Sequence, residues 1–153
     1  MMENLLRITG WRGLKSAMDL LIDTNIFLDV AFNRPGSMEA RQLFLKMEKE
    51  GDIAFLTASA ATDLFYIIRK KLHDVSKTYK VMGKILNVVN ILLVNEDDIM
   101  TAFHAGWRDF EDCVQFVVAL HQRMDYIITR NARDFEDNSI PVISPEEYLL
   151  RGR

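Results

Sequence analysis

The feature that most constrains the fold is an alternation that runs from residue 20 nearly to the end of the 153-residue chain. Short apolar runs are separated by longer stretches whose apolar residues recur at helical spacing. Residues 20–22, 53–56, 91–94 and 126–128 read as buried strands, and residues 142–143 as an edge strand. The intervals predict helices over residues 37–50, 60–71, 76–89, 97–104 and 109–123. In the first of these, Ala40, Leu43, Phe44 and Met47 share one face, and Gly51 supplies the stop. Neighbouring parallel strands need crossover connections, which are nearly always right-handed and helical. Strand–helix alternation therefore specifies an α/β domain with a mostly parallel central sheet and helices on both faces. In such sheets ligands gather at the carboxyl ends of the strands, and chemistry is to be sought there.

Nothing in the sequence divides this pattern into two domains: there is no internal repeat, low-complexity tract or Pro/Gly-rich linker. Residues 18–153 read as one domain. Residues 1–17 read as an extension, either an upstream start or a loosely docked arm, because Met18 stands directly before the first patterned strand. Arg7 interrupts the one apolar run of this extension, so neither a secretory signal nor a membrane span is expected. Cys113 is the sole cysteine and can form no internal disulfide, which makes the cytoplasm the default location. Nineteen basic residues against twenty-two acidic ones give a net charge of −3, so nucleic-acid binding would have to come from a local patch.

Three aspartates draw attention. Asp23 directly follows the first strand, Asp63 lies in the helix after the second, and Asp112 lies in the first turns of the helix before the fourth. Thr129, Asn131 and Asp134 follow the fourth strand. Each acid taken alone is open to a structural reading as a loop former or helix N-cap. Asp109 in particular suits the N-cap of its helix, with Asp112 at N3. Taken together, carboxylates without Lys or Arg partners repel one another, and such groups commonly hold hard divalent cations, Mg²⁺ or Mn²⁺, through oxygen. His73, His104 and His121 lack zinc-ligand spacing.

The run Leu21-Ile22-Asp23-Thr24-Asn25-Ile26-Phe27-Leu28-Asp29 resembles the amino-terminal signature of PIN-domain nucleases. Asp109-Phe110-Glu111-Asp112-Cys113-Val114 is similar to their third acidic motif, and Ile127-Ile128-Thr129-Arg130-Asn131 with Asp134-Phe135 to their fourth. The resemblance covers residues 19–149 with several motifs in the family's order. It implies a three-layer α/β/α sandwich and a metal-dependent endoribonuclease site in which Asp23 and Asp112 match the first and third acids. It also implies homodimers and, for the toxin-type members, inhibition by a small antitoxin protein. Two positions depart from the pattern: Asp63 stands where Glu is usual, and Asn131 where Asp is common.

On this reading Asp23, Asp63 and Asp112 ligate the metal, while Asn131 and Thr129 orient the attacking water or the scissile phosphate. Asn25 would hold the Asp23 carboxylate by hydrogen bonding. Asp134 would supply the charge that Asn131 lacks. Arg130 is the best single candidate for a phosphate contact, because a guanidinium grips phosphate bidentately. The one basic stretch includes Lys77 and Lys80 with Tyr66 and Tyr79 nearby; it reads either as an RNA track or as a solvated helix face. Large side chains at Phe27, Val30, Ala31, Phe32 and residues 65–68 suggest association. The departures at Asp63 and Asn131 leave a second function class open, a catalytically weak RNA-binding or protein-interaction module. Other phosphate-handling α/β enzymes fit poorly: Asn25 occupies the position of the second Asp of haloacid dehalogenases, and no Gly-rich phosphate loop is present.

Overall fold

The computed structural model describes residues 17–152, so the extension expected over residues 1–17 lies, apart from Ala17, outside the described residues. Strands β1 (Asp19–Ile22), β2 (Ile53–Thr57), β3 (Asn90–Leu92), β4 (Tyr126–Ile128) and β5 (Val142–Ile143) form an all-parallel sheet in the order β3-β2-β1-β4-β5. Register explains why the strands are apolar on both faces. Leu21 stands beside Phe55 and Ile127, while Leu20 pairs with Ala54 and Ile22 with Ile128. Leu20, Ile22, Ala54, Leu56 and Ile128 enter one core, and Leu21 and Ile127 enter another on the opposite face. Each fully buried Leu or Ile contributes about 1.5–3 kcal/mol, so a polar residue on either face would weaken one of the two layers.

Four helices cover the first core: α1 (Thr24–Ala31), α2 (Ser37–Glu50), α3 (Ala58–Leu72) and α4 (Val75–Leu86), which contribute Ile26, Leu43, Leu64 and Met82 among others. Helices α5 (Glu96–Ala105) and α6 (Phe110–His121) cover the second core with Ala102, Phe116 and Val117. A short α7 (Pro145–Leu150) returns Tyr148 to the first core, where its hydroxyl donates to Asp52 Oδ2 at 2.5 Å. The same Asp52 accepts from the Met18 backbone N–H at 2.9 Å, which ties the start of β1 to the sheet. The result is a three-layer α/β/α sandwich.

Most expected elements are present, and the differences have local causes. Helices α1 and α7 lack an expected counterpart. Ile26, Phe27 and Leu28 are consecutive and all buried, so α1 offers no polar face from which a helical period could be read. Helix α3 begins at Ala58 because the Thr57 hydroxyl caps it, accepting from the Ala60 N–H at 3.2 Å. Strand β3 ends at Leu92, and Leu93 is exposed at the sheet's edge.

The apolar side chains read as surplus are in part accounted for within the chain itself. Phe27 and Ile68 lie within the first core, and Val30, Phe32 and Phe65 pack against it. Tyr66 and Ile67 are the exposed members of that set. Among the described residues no helix is long and apolar enough to cross a membrane.

Candidate functional site

Strand order reverses direction at β1, which has β2 on one side and β4 on the other. The crevice between the carboxyl ends of β1 and β4 is thus the topological switch point, where open parallel sheets bind ligands. Asp23 is the first residue past β1 and Thr129 the first past β4.

Asp23 occupies the N-cap position of α1, yet its side chain makes no capping hydrogen bond. Its carboxylate is 4% exposed and instead accepts from the Thr129 hydroxyl at 2.8 Å and the Thr24 hydroxyl at 3.3 Å. Among the described residues these threonines are its hydrogen-bond donors, rather than the Asn25 amide expected from the sequence. Thr129 is itself fully buried, and its oxygen accepts from the Asn131 N–H at 3.1 Å. With its proton committed to Asp23, Thr129 acts on the site through that carboxylate and through the loop it anchors. The amino end of α1 adds a favourable dipole.

Asp109 caps α6 as expected, accepting from the Asp112 N–H at 3.0 Å. The Asp112 side chain does not return the bond, unlike the closed capping boxes of α5 and α7. Its carboxyl is half-buried and pushed up to about 7, first by burial and then by the negative charges of Asp109, Asp23, Glu111 and Asp134. Glu111 is raised as well, by burial and then by Asp63, Asp23 and Asp109. These mutual effects bring Asp63 on α3, Asp23 after β1, the first turn of α6 and Asp134 into one electrostatic neighbourhood. Glu111 is a member that the sequence reading passed over, although the acidic run at residues 109–112 contained it.

Asp63 and Asn131 are exposed. Asn131 begins the 3-10 turn Ala132–Asp134, and its carbonyl accepts from the Asp134 N–H at 3.0 Å. Arg108, Asp109, Arg133, Asp134 and Glu136 line an open polar cleft of about 490 Å³ beside the acids. A larger groove of about 840 Å³ lies among Phe27, Phe44, Val81 and Val88; it is mainly apolar and contains none of the expected site residues.

Among the described residues, no three His, Cys, Asp or Glu side chains form a ready-made metal cage. The donors are nonetheless hard, anionic oxygens, and no Lys or Arg appears among the groups that act on Asp112. That chemistry fits a divalent cation of the Mg²⁺ or Mn²⁺ type, which would relieve the repulsion raising Asp112 and Glu111.

Arg130 does not stand free at the rim. Its Nε lies 2.8 Å from Asp29 Oδ2 and its Nη1 donates to the Pro35 carbonyl at 3.1 Å. Lys77 and Lys80 are exposed on α4, with Lys77 4.0 Å from Asp74. Tyr79 packs edge-on against Phe65 at 5.1 Å and, like Tyr66, is 66% exposed. On α3 the exposed positions Asp63, Tyr66 and Lys70 follow helical spacing, forming a stripe about 10 Å long that leads away from the acids.

Fold and site together define an α/β/α domain with a carboxylate cluster at its switch point. A PIN domain family model matches residues 19–133, and the chain belongs to the PIN-domain family. Solved structures share the fold. VapBC2 from Rickettsia felis bound to a DNA fragment from its promoter aligns with a TM-score of 0.67 at 11% identity, covering 83% of this chain and 98% of that one. A toxin–antitoxin complex from Klebsiella pneumoniae aligns at 0.58 and 27% identity, covering 85% and 98%. Mycobacterium tuberculosis VapC20, described as a sarcin-ricin loop cleaving toxin, aligns at 0.58 and 12% identity, covering 71% and 86%. No curated protein matches the chain.

Proposed function

We propose that this chain is a Mg²⁺- or Mn²⁺-dependent endoribonuclease, and that it is the toxin of a toxin–antitoxin pair. One observation carries the reading: the buried Asp23 carboxylate is held by two hydroxyls rather than a cation, at the switch point and within the field of Asp112. Family membership and the toxin–antitoxin neighbours support it.

Asp23, Asp63 and Asp112 would hold the metal, and Glu111, which feels the charges of Asp63 and Asp23, would add to the negative field there. A bound divalent ion would lower the pKa of a coordinated water and neutralise charge on the phosphate. The protein's own contribution is positional. Thr24 and Thr129 fix the Asp23 carboxylate, Asp109 secures the helix start that carries Asp112, and the Asn131 backbone N–H, donating to Thr129, ties the following loop to them. No protein nucleophile is needed. The exposed stripe of Asp63, Tyr66 and Lys70 offers single-stranded RNA a ring for stacking and an ammonium for phosphate. Lys77 and Lys80 would extend that track, and the chain would act in the cytoplasm as a homodimer until an antitoxin covers it.

The exposure of Asp63, one methylene shorter than the Glu usual in the family, favours a second reading as a weakly catalytic RNA-binding or interaction module. A single assay separates the two: cleavage of a mixed RNA pool with Mn²⁺, with EDTA, and by Asp112→Asn. Cleavage that needs the metal and disappears in the variant supports the nuclease. Equal background in all three, with folded protein, supports the module.

A further inference from the structure

Asp29 lies outside the acidic cluster and outside every motif role assigned above, yet it is the most deeply buried carboxylate near the site, with no exposed surface. It sits on α1, and a guanidinium approaches each of its oxygens: Arg34 Nε lies 3.2 Å from Oδ1 and Arg130 Nε 2.8 Å from Oδ2. Both contacts are ion pairs without hydrogen-bond alignment. The Arg34 N–H also donates to the Asp29 carbonyl at 3.0 Å, which folds the loop after α1 back onto the carboxylate. Gly36 closes the arrangement. Its φ is +94°, and a Cβ there would stand 3.2 Å from Asp29 Oδ2 and 3.4 Å from the Arg130 side chain. The loop thus makes room for the two arginines and supplies the Pro35 carbonyl as a further acceptor for Arg130.

Two guanidiniums around one carboxylate leave one net positive charge, and both arginine side chains remain about one-third exposed, at 35% and 32%. That charge stands directly after Thr129, which holds Asp23. A surface arginine pays entropy to meet a phosphate, whereas one already braced by a carboxylate and a carbonyl keeps its remaining N–H groups pre-aimed.

We propose that Asp29 is a positioning residue for RNA binding, bracing Arg130 against the Arg34–Gly36 loop so that the outer edge of its guanidinium receives a backbone phosphate beside the acidic site. The proposal rests on the reading of this chain as an RNA-binding PIN domain, and it does not require that the chain cleave RNA.

The sign of one effect tests it. Asp29→Asn removes a negative charge, so bulk electrostatics alone predict unchanged or tighter RNA binding. Bracing predicts the opposite: about a tenfold loss, the scale of one charge-assisted hydrogen bond. The measurement is fluorescence anisotropy with a labelled single-stranded RNA oligonucleotide in EDTA, on protein whose fold is checked by circular dichroism. Arg130→Lys covers the case in which Asp29→Asn does not fold. It keeps the charge but cannot span Asp29, the Pro35 carbonyl and a phosphate, so it should show a similar loss. Equal or tighter binding by either folded variant would overturn the proposal, as would a wild-type chain that does not bind the oligonucleotide. Wild-type binding without metal-dependent cleavage would remove the nuclease reading and leave the brace intact.

Discussion

Replacing Asp112 with Asn should stabilise the metal-free protein while abolishing its response to metal. The Asp112 carboxyl rises from 3.8 to about 7 in the folded chain, first through burial and then through its acidic neighbours. At about 1.4 kcal/mol for each tenfold change in acidity, that difference corresponds to about 4 kcal/mol. Partial exposure screens the charges, and about 2 kcal/mol is the expected net effect. Its direction follows from linkage. A carboxyl whose folded pKa lies above its unfolded value of 3.8 opposes folding only once the unfolded chain can release the proton, and fully above about 7. Wild-type stability in EDTA should therefore fall as pH rises from 4 towards about 8, and the Asn variant should lose most of that slope. Near pH 8 the variant should melt several degrees higher, at about 2–4 °C per kcal/mol for a chain of this size. Added Mn²⁺ should reverse the order, raising the wild-type melting temperature and leaving the variant's unchanged. Thermal unfolding across this pH range, with and without Mn²⁺, reads all three effects. A variant less stable than wild type at pH 8 in EDTA would refute the claim that Asp112 sits in an uncompensated negative field.

Three further outcomes are expected. Thr129→Val removes the 2.8 Å donor to Asp23 and should weaken Mn²⁺ binding about 10–100-fold by calorimetry, whereas unchanged affinity would show that the Asp23 carboxylate is held without it. Lys77→Ala with Lys80→Ala should lower the salt slope of single-stranded RNA binding by about 1.4, about 0.7 for each phosphate contact, and an unchanged slope would mark this face as solvated only. Gln115, one turn along α6 from Asp112, is buried with neither amide atom hydrogen-bonded, so Gln115→Met should raise stability by about 1 kcal/mol in denaturant titration; a loss would point to a buried partner for the amide.

Some features of the site could be read residue by residue. Asp23 was legible because it ends an apolar strand, and Asp109 because an Asp three residues before the Asp112 N–H is a recognisable cap. Glu111 was less visible, since a Glu in the first turn of a helix usually serves the helix dipole. The sequence points to the wrong donor for Asp23, and the reason is geometric. Asn25 is close in sequence, but α1 begins at Thr24, and the stronger donor comes from Thr129, 106 residues away across β1 and β4. Asp29 was hidden in the same way: its two arginines come from the loop after α1 and from the end of β4.

Hydrophobic period and the placement of acids after strands are local properties, written into consecutive residues by the geometry of helices and strands. From them the chain's class, its parallel sheet and the sheet edge at which Asp23 stands follow directly. Strand order is another matter. It is set by which apolar faces can be buried together, and that packing brought β4 beside β1 rather than beside β3. Only this juxtaposition places Thr129 on Asp23 and Arg130 on Asp29, and only the folded chain buries Asp112 and crowds it with charges from three separate segments. Pairwise contacts and electric fields depend on distances in space, which no spacing along the chain contains.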